Sequence, residues 1–285
     1  MPEGDTIWRT ARTLRGVLGG RLVSGFRSPL PGVAAAARRL GVVGQTVAVV
    51  ESNGKHLLIR FSGGATLHTH QGMTGSWHVY RTGTAWRKPE RAARVVVETG
   101  EATAVCFSAP VVELLTPGRN AGHPALQRLG PDLLSPGFDA AEARRRFGER
   151  PEVEIGVALL DQTALAGIGN VYKSEVCFLC RVNPFLRLRD LDEAALDRLI
   201  ETARREMRRN LGPGMRRTRS ALSRERLWVY GRSGKPCLRC GTLVQRRLQG
   251  EQARATYWCP LCQPGSPQER AAKRGPGRQR EREDA

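Results

Sequence analysis

Residue 2 is where covalent chemistry could begin. With Met1 removed, Pro2 carries a free secondary amine on a rigid ring. Such an amine attacks an aldehyde-like carbon and yields a positively charged iminium, the electron-sink logic of Schiff-base lysines. It must be unprotonated to attack. Asp5 and Thr6 read as capping residues of an amphipathic helix running to about Leu18, with Gly19-Gly20 as its stop. Pro2 at the positive end of that helix is biased toward the neutral amine, since the dipole disfavours a nearby ammonium. Glu3 beside it is a candidate proton donor.

Further along, Ser52-Asn53-Gly54-Lys55-His56 reads as a turn that sets Lys55, one of only five lysines, against a strand start. His70-Gln71-Gly72-Met73-Thr74-Gly75 is a Gly-flanked loop with Met73 at its tip. An apolar tip of this kind can wedge into unstacked DNA or fold back into a core. Ala166-Gly167-Ile168-Gly169-Asn170 is a Gly-rich break with Asn170 as N-cap of the helix that follows, either an ordinary capped turn or a clamp for a DNA phosphate.

The strongest local signal is metal-binding. Cys237-x2-Cys240, an interval of 18 residues, and Cys259-x2-Cys262 have the spacing of a four-cysteine zinc ribbon. Strands at Leu243 to Leu248 and Ala255 to Trp258 join the two knuckles, with Arg254 at the start of the second. So small a ribbon cannot bury enough apolar surface to fold without metal, so the zinc is structural, one per chain, with no open position. Seven cysteines in all, an odd number, argue for metal and free thiols over a disulfide framework, and Cys177-x2-Cys180 reads as packing.

The elements that must position these residues fall into an α+β arrangement. After the first helix, strands at Thr46 to Val50, Leu57 to Phe61, Ala65 to Thr69, Val95 to Thr99 and Thr103 to Phe107 suggest a β-sandwich, residues 1–132. Residues 133–150 read as an interdomain linker, and 151–226 as an all-helical domain. In the latter, Glu152 to Leu165 is predicted helical, Val171 to about Leu179 resumes, and Asp190 with Glu193 forms a capping box. The helix it starts carries Ala195, Leu199, Ala203 and Met207 on one face. The ribbon occupies 227–264, and 265–285 is a disordered basic tail.

Charge indicates the partner. Lys and Arg total 46 against 27 Asp and Glu, a net +19, of which residues 266–285 supply only +2 (six basic, four acidic). The folded body is therefore built to meet a polyanion. With no stretch approaching a membrane span and no signal-peptide pattern, a cytoplasmic, nucleoid-associated protein is expected.

Together these pieces resemble the formamidopyrimidine-DNA glycosylase and endonuclease VIII family of base-excision repair enzymes. The resemblance rests on Pro2-Glu3-Gly4, Gly54-Lys55, Leu126 to Asp132, Leu165 to Tyr172, Val229-Tyr230-Gly231-Arg232, and Tyr257-Trp258-Cys259-Pro260-x-Cys262-Gln263. It implies a β-sandwich facing a helix–two-turns–helix domain and a zinc ribbon across a DNA groove. It implies a monomeric enzyme with no organic cofactor, acting on damaged DNA, duplex or single-stranded. By the same resemblance Pro2 attacks C1′ of the damaged nucleotide and Glu3 protonates the sugar ring oxygen. Lys55 assists β-elimination and Arg254 δ-elimination. Arg128 and Asn170 hold the flanking phosphates, and Met73 fills the void left by the flipped nucleotide. Relatives preferring oxidised purines carry an Arg-Phe pair on a loop that corresponds here to Ser108 to Leu114, whereas the Glu-x-Leu-Thr-Pro run resembles the endonuclease VIII branch. Oxidised pyrimidines are the expected lesions. A non-enzymatic zinc-ribbon DNA-binding protein, or an RNA-binding module, is the alternative from charge and ribbon alone. Covalent trapping separates them.

Overall fold

The computed structural model describes residues 2–118 and 123–265, so the tail predicted to be disordered lies, from residue 266 on, outside the described residues. The chain forms two compact units, one comprising 1–143, 161–169 and 204–215, the other 144–160, 170–203 and 216–285. These bounds differ from the sequence-based ones: short central segments at 161–169 and 204–215 join the N-terminal unit.

In the first unit α1 (Gly4–Leu18) leads into β1 (Gly25–Arg27), α2 (Pro31–Arg39) and the strands β2 (Val47–Asn53), β3 (His56–Phe61), β4 (Thr66–His70), β5 (Ser76–Arg81), β6 (Ala93–Glu98), β7 (Ala102–Phe107) and β8 (Val111–Leu115). They make two antiparallel four-stranded sheets, ordered β1-β6-β7-β5 and β2-β3-β4-β8. The sandwich is as expected. Its core takes Leu57, Ile59 and Leu67 from one sheet, Val95, Val97 and Ala104 from the other, and Ile7, Ala11, Leu14 and Leu18 from one stripe of α1. β1, α2, β5 and β8 were not anticipated. The helix start was misplaced: Glu3 is the N-cap, with extended backbone at φ −123°, while Asp5 lies buried inside the first turn.

After α3 (Pro124–Gln127), the supposed linker 133–150 contains α4 (Ala140–Gly148). Ala143 and Phe147, one turn apart, are buried, and the Asp139 carboxylate caps the helix by accepting the Glu142 N–H at 3.0 Å. The composition shift hid a capped helix.

The second unit holds α5 (Ile155–Ala158), α6 (Asn170–Leu179), the first eleven residues of α7 (Glu193–Arg209), and the hairpin β9 (Gln245–Gln249) and β10 (Arg254–Trp258). The long helix predicted over 152–165 shrinks to α5. Polar side chains beyond it claim the backbone: Asp161 Oδ1 accepts the Thr163 N–H at 2.8 Å, and Gln162 Oε1 accepts the Gly167 N–H at 3.0 Å. α7 is capped by Asp192, which accepts the Ala195 N–H at 2.6 Å; Asp190 instead takes the Arg187 N–H of the preceding turn, so the expected Asp190–Glu193 box does not form. Its apolar face is as read, with Ala195, Leu199, Ala203 and Met207 buried. Among the described residues no helix is long and apolar enough to cross a membrane.

Candidate active site and nucleic-acid interface

Pro2 is half-buried immediately ahead of the α1 N-cap, and Glu3 is fully buried. The first turn is locked from far along the chain. The Gly4 N–H donates to the Gly167 carbonyl at 2.9 Å, and the Gly169 N–H donates to the Glu3 carboxylate at 3.0 Å. Glycine at position 4 suits this approach, since a Cβ there would lie 2.6 Å from Met207 Cε and 3.1 Å from Gly167 Cα, so both would have to shift.

Lys55 follows Gly54 in the tight β2–β3 turn, where Gly54 adopts φ +57°. That turn stands on the same footing: the Gly54 N–H donates to Asp132 Oδ2 at 2.9 Å, and the space a Cβ would need is closed by the Ala166 methyl at 3.0 Å. Asp132 also accepts the Leu134 N–H at 2.9 Å; burial pushes its carboxyl pKa up while these two N–H groups pull it down. The 166–169 segment therefore fixes both the Pro2-Glu3 start and the Lys55 turn. Asp132 had entered the sequence reading only as part of a motif. Its job depends on a partner 78 residues away, which no local pattern shows.

Met73 is 66% exposed at its loop tip and does not fold back into the core. Thr74 Oγ donates to the Ser108 carbonyl at 3.2 Å, joining this loop to Ser108–Pro110. The Ser108 to Leu114 stretch is only partly a loop, because from Val111 it is β8, paired with β4. Arg128 is exposed and ends α3.

In the second unit Asn170 opens α6 as its first helical residue, so it is not the N-cap expected of it. It is buried, and its Nδ2 donates to the Ala255 carbonyl at 2.7 Å. The structure thereby brings Asn170 beside the strand that begins with Arg254. Arg254 itself is half-buried, its guanidinium donating to Gln252 Oε1 at 3.0 and 3.2 Å. Two buried charges escaped sequence reasoning because both sit inside the apolar-looking α6. Lys173 donates to Thr256 Oγ1 at 2.6 Å; Glu175 accepts the N–H groups of Trp228, Val229 and Tyr230 at 2.8–2.9 Å and the Thr218 hydroxyl. Burial raises the Glu175 pKa against those donors.

The four Sγ atoms of Cys237, Cys240, Cys259 and Cys262 lie within 4.8 Å of one another, with separations of 3.4, 3.5 and 3.9 Å for three of the pairs. A tetrahedral ion with sulfur ligands at ~2.3 Å sets sulfurs about 3.8 Å apart, so the cluster can hold a metal ion.

A two-sheet sandwich with a leading helix, a helical unit and a four-cysteine hairpin define a DNA-glycosylase architecture. Residues 1–110 match the formamidopyrimidine-DNA glycosylase N-terminal domain, and 129–220 match the formamidopyrimidine-DNA glycosylase H2TH domain. The chain belongs to the formamidopyrimidine-DNA glycosylase and endonuclease 8 family. It is 43% identical to a "probable endonuclease 8 2" of Streptomyces coelicolor, covering 93% of this chain and 95% of that one. It is 38% identical to the "DNA-(apurinic or apyrimidinic site) lyase Nei2" of Mycolicibacterium smegmatis, covering 93% and 100%. The Lactococcus lactis Fpg in complex with DNA containing an abasic site shares the fold, with a TM-score of 0.76, 22% identity and coverage of 92% and 99%.

Proposed function

We propose that this chain is a bifunctional DNA glycosylase and abasic-site lyase in which Pro2 is the nucleophile. Its nitrogen lone pair forms a bond to C1′ of the damaged nucleotide. The base departs with the electrons of its glycosidic bond and takes up the proton that the Pro2 nitrogen sheds; the nitrogen lone pair then opens the C1′–O4′ bond as Glu3 delivers a proton to the ring oxygen, leaving an iminium. Loss of a C2′ proton then expels the 3′ phosphate, with Lys55 assisting, and loss of the C4′ proton in the δ-elimination expels the 5′ phosphate, with Arg254 assisting. The target must leave the base stack first; Met73 enters the vacated space, while Arg128 and Asn170 hold flanking phosphates. The four cysteines hold a structural zinc that keeps the Arg254 hairpin in shape.

The observation that carries this reading is the shared footing of Glu3-Gly4 and Gly54-Lys55 on the 166–169 segment, which holds a proton donor and an amine-bearing turn in fixed register. Borohydride trapping on abasic DNA, with mass spectrometry of the adduct, tests it. The expected product is a covalent adduct in which Pro2 is N-terminal; efficient trapping of chains that retain Met1 would reject Pro2, and absence of any adduct would favour a pure DNA binder.

The lesion class is read from Ser108–Pro110, where the Ala109 and Pro110 side chains carry no donor for an opposite base. Excision then depends on how readily the damaged base unstacks, and saturated, non-planar pyrimidines unstack easily. Thymine glycol and dihydrouracil should be released faster than 8-oxoguanine opposite cytosine in single-turnover assays on matched duplexes, with bubble DNA also accepted. The reverse order would move the chain to the purine-preferring side while leaving its Pro2 chemistry standing.

A further inference from the structure

Four of the chain's five histidines gather on one face of the β2-β3-β4-β8 sheet. His56 and His70 stand opposite each other across β3 and β4, and His68 stands opposite Glu113 across β4 and β8. Strand alternation puts His56, His68, His70 and Glu113 on the face away from Leu57, Ile59 and Leu67 of the sandwich core. His123, just ahead of α3, completes the group. His68 Nδ1 lies 2.9 Å and His123 Nε2 3.0 Å from the same oxygen, Glu113 Oε2, and the three donor atoms fall within 4.8 Å of one another.

We propose that His68, Glu113 and His123 form a second metal site, separate from the four-cysteine cluster, for a first-row divalent cation such as zinc. Two imidazoles and one carboxylate are a borderline donor set, suited to zinc, iron or nickel rather than to calcium or magnesium. An ion about 2.0–2.1 Å from each donor spaces neighbouring donors by about 2.9–3.4 Å, and the two measured separations sit at the lower edge of that range. The surroundings are those of a ligand set. His68 Nε2 is 2.8 Å from His56 Nδ1, so His56 can accept the Nε2 proton and act as an outer partner that leaves Nδ1 for the metal. His68 is fully buried whereas Glu113 is 44% exposed, which leaves the site closed behind and open to solvent at its carboxylate. Water, or a phosphate oxygen, would complete the coordination. The inference does not depend on the nucleophile assignment.

Metal content of the full chain, loaded with zinc and dialysed, reads this directly. Two equivalents are expected for the wild type and one for His123→Gln, which removes a ligand nitrogen at a less buried position while an amide remains to bond Glu113. Cobalt in place of zinc distinguishes the sites: the thiolate site gives an intense sulfur-to-metal charge-transfer band, and the histidine site only weak visible bands. His123→Gln should lose the weak bands alone, and Cys259→Ser the intense band alone. A Glu113→Gln variant, checked for folding by circular dichroism, should behave as His123→Gln does. A wild type that holds a single equivalent overturns the proposal, and so does a second equivalent that survives both substitutions.

Discussion

At the scale of single residues, the proposed division of labour between Pro2 and Glu3 makes a separable prediction. Glu3→Gln keeps the amine and an acceptor for the Gly169 N–H, so it removes a proton donor with little loss of structure. Base release should fall by ~10²–10⁴, the usual worth of a general acid, while strand cleavage at a preformed abasic site falls far less. Equal losses on the two substrates, in matched single-turnover assays, would contradict the assignment. The four-cysteine cluster was legible because its members are regularly spaced along the chain. Lys173 and Glu175 were not. A charge inside an apolar helix is recognisable as satisfied only when its partners, Thr256 and the 228–230 backbone, are seen in space.

At the scale of elements, the β2–β3 turn depends on Asp132. Asp132→Ala leaves the Gly54 and Leu134 N–H groups without their acceptor, which costs about 1–3 kcal/mol for each that stays buried. Thermal unfolding should show that loss, and strand cleavage should drop by more than DNA affinity does, because Lys55 loses its register whereas the basic surface is unchanged; a variant that cleaves at the wild-type rate would show that the turn holds itself. The strands β2, β3, β4, β6 and β7 were readable from alternation and hairpin glycines, whereas β1, β5 and β8 were not. In the centre of the chain α6 and the face of α7 were readable, but α4, the short span of α5 and the cap of α7 were not, for a definite reason: Asp139, Asp161, Gln162 and Asp192 bond to nearby backbone, and the capping or turn-forming outcome of each depends on which N–H it reaches.

At the scale of the whole molecule, a net +19 makes DNA affinity steeply salt-dependent. Neutralising about six phosphates gives a log–log slope near −5 on duplex and about −4 on single strands. Binding titrations between 50 and 200 mM salt should show that difference, and a slope near zero would exclude a phosphate-tracking surface. The architecture also sets a clock. Glu3 meets its Gly169 partner across 166 residues of chain, so during synthesis at ~5–20 residues per second the N-terminus waits roughly 8–33 s before that partner even exists. Until then the start of the chain is an unpaired nascent segment, open to a processing peptidase; afterwards the bond to be cut adjoins a half-buried proline. For the proposed Pro2 nucleophile, maturation is expected on the ribosome-bound chain, and folded molecules that retain Met1 should bind damage without forming the trapped adduct.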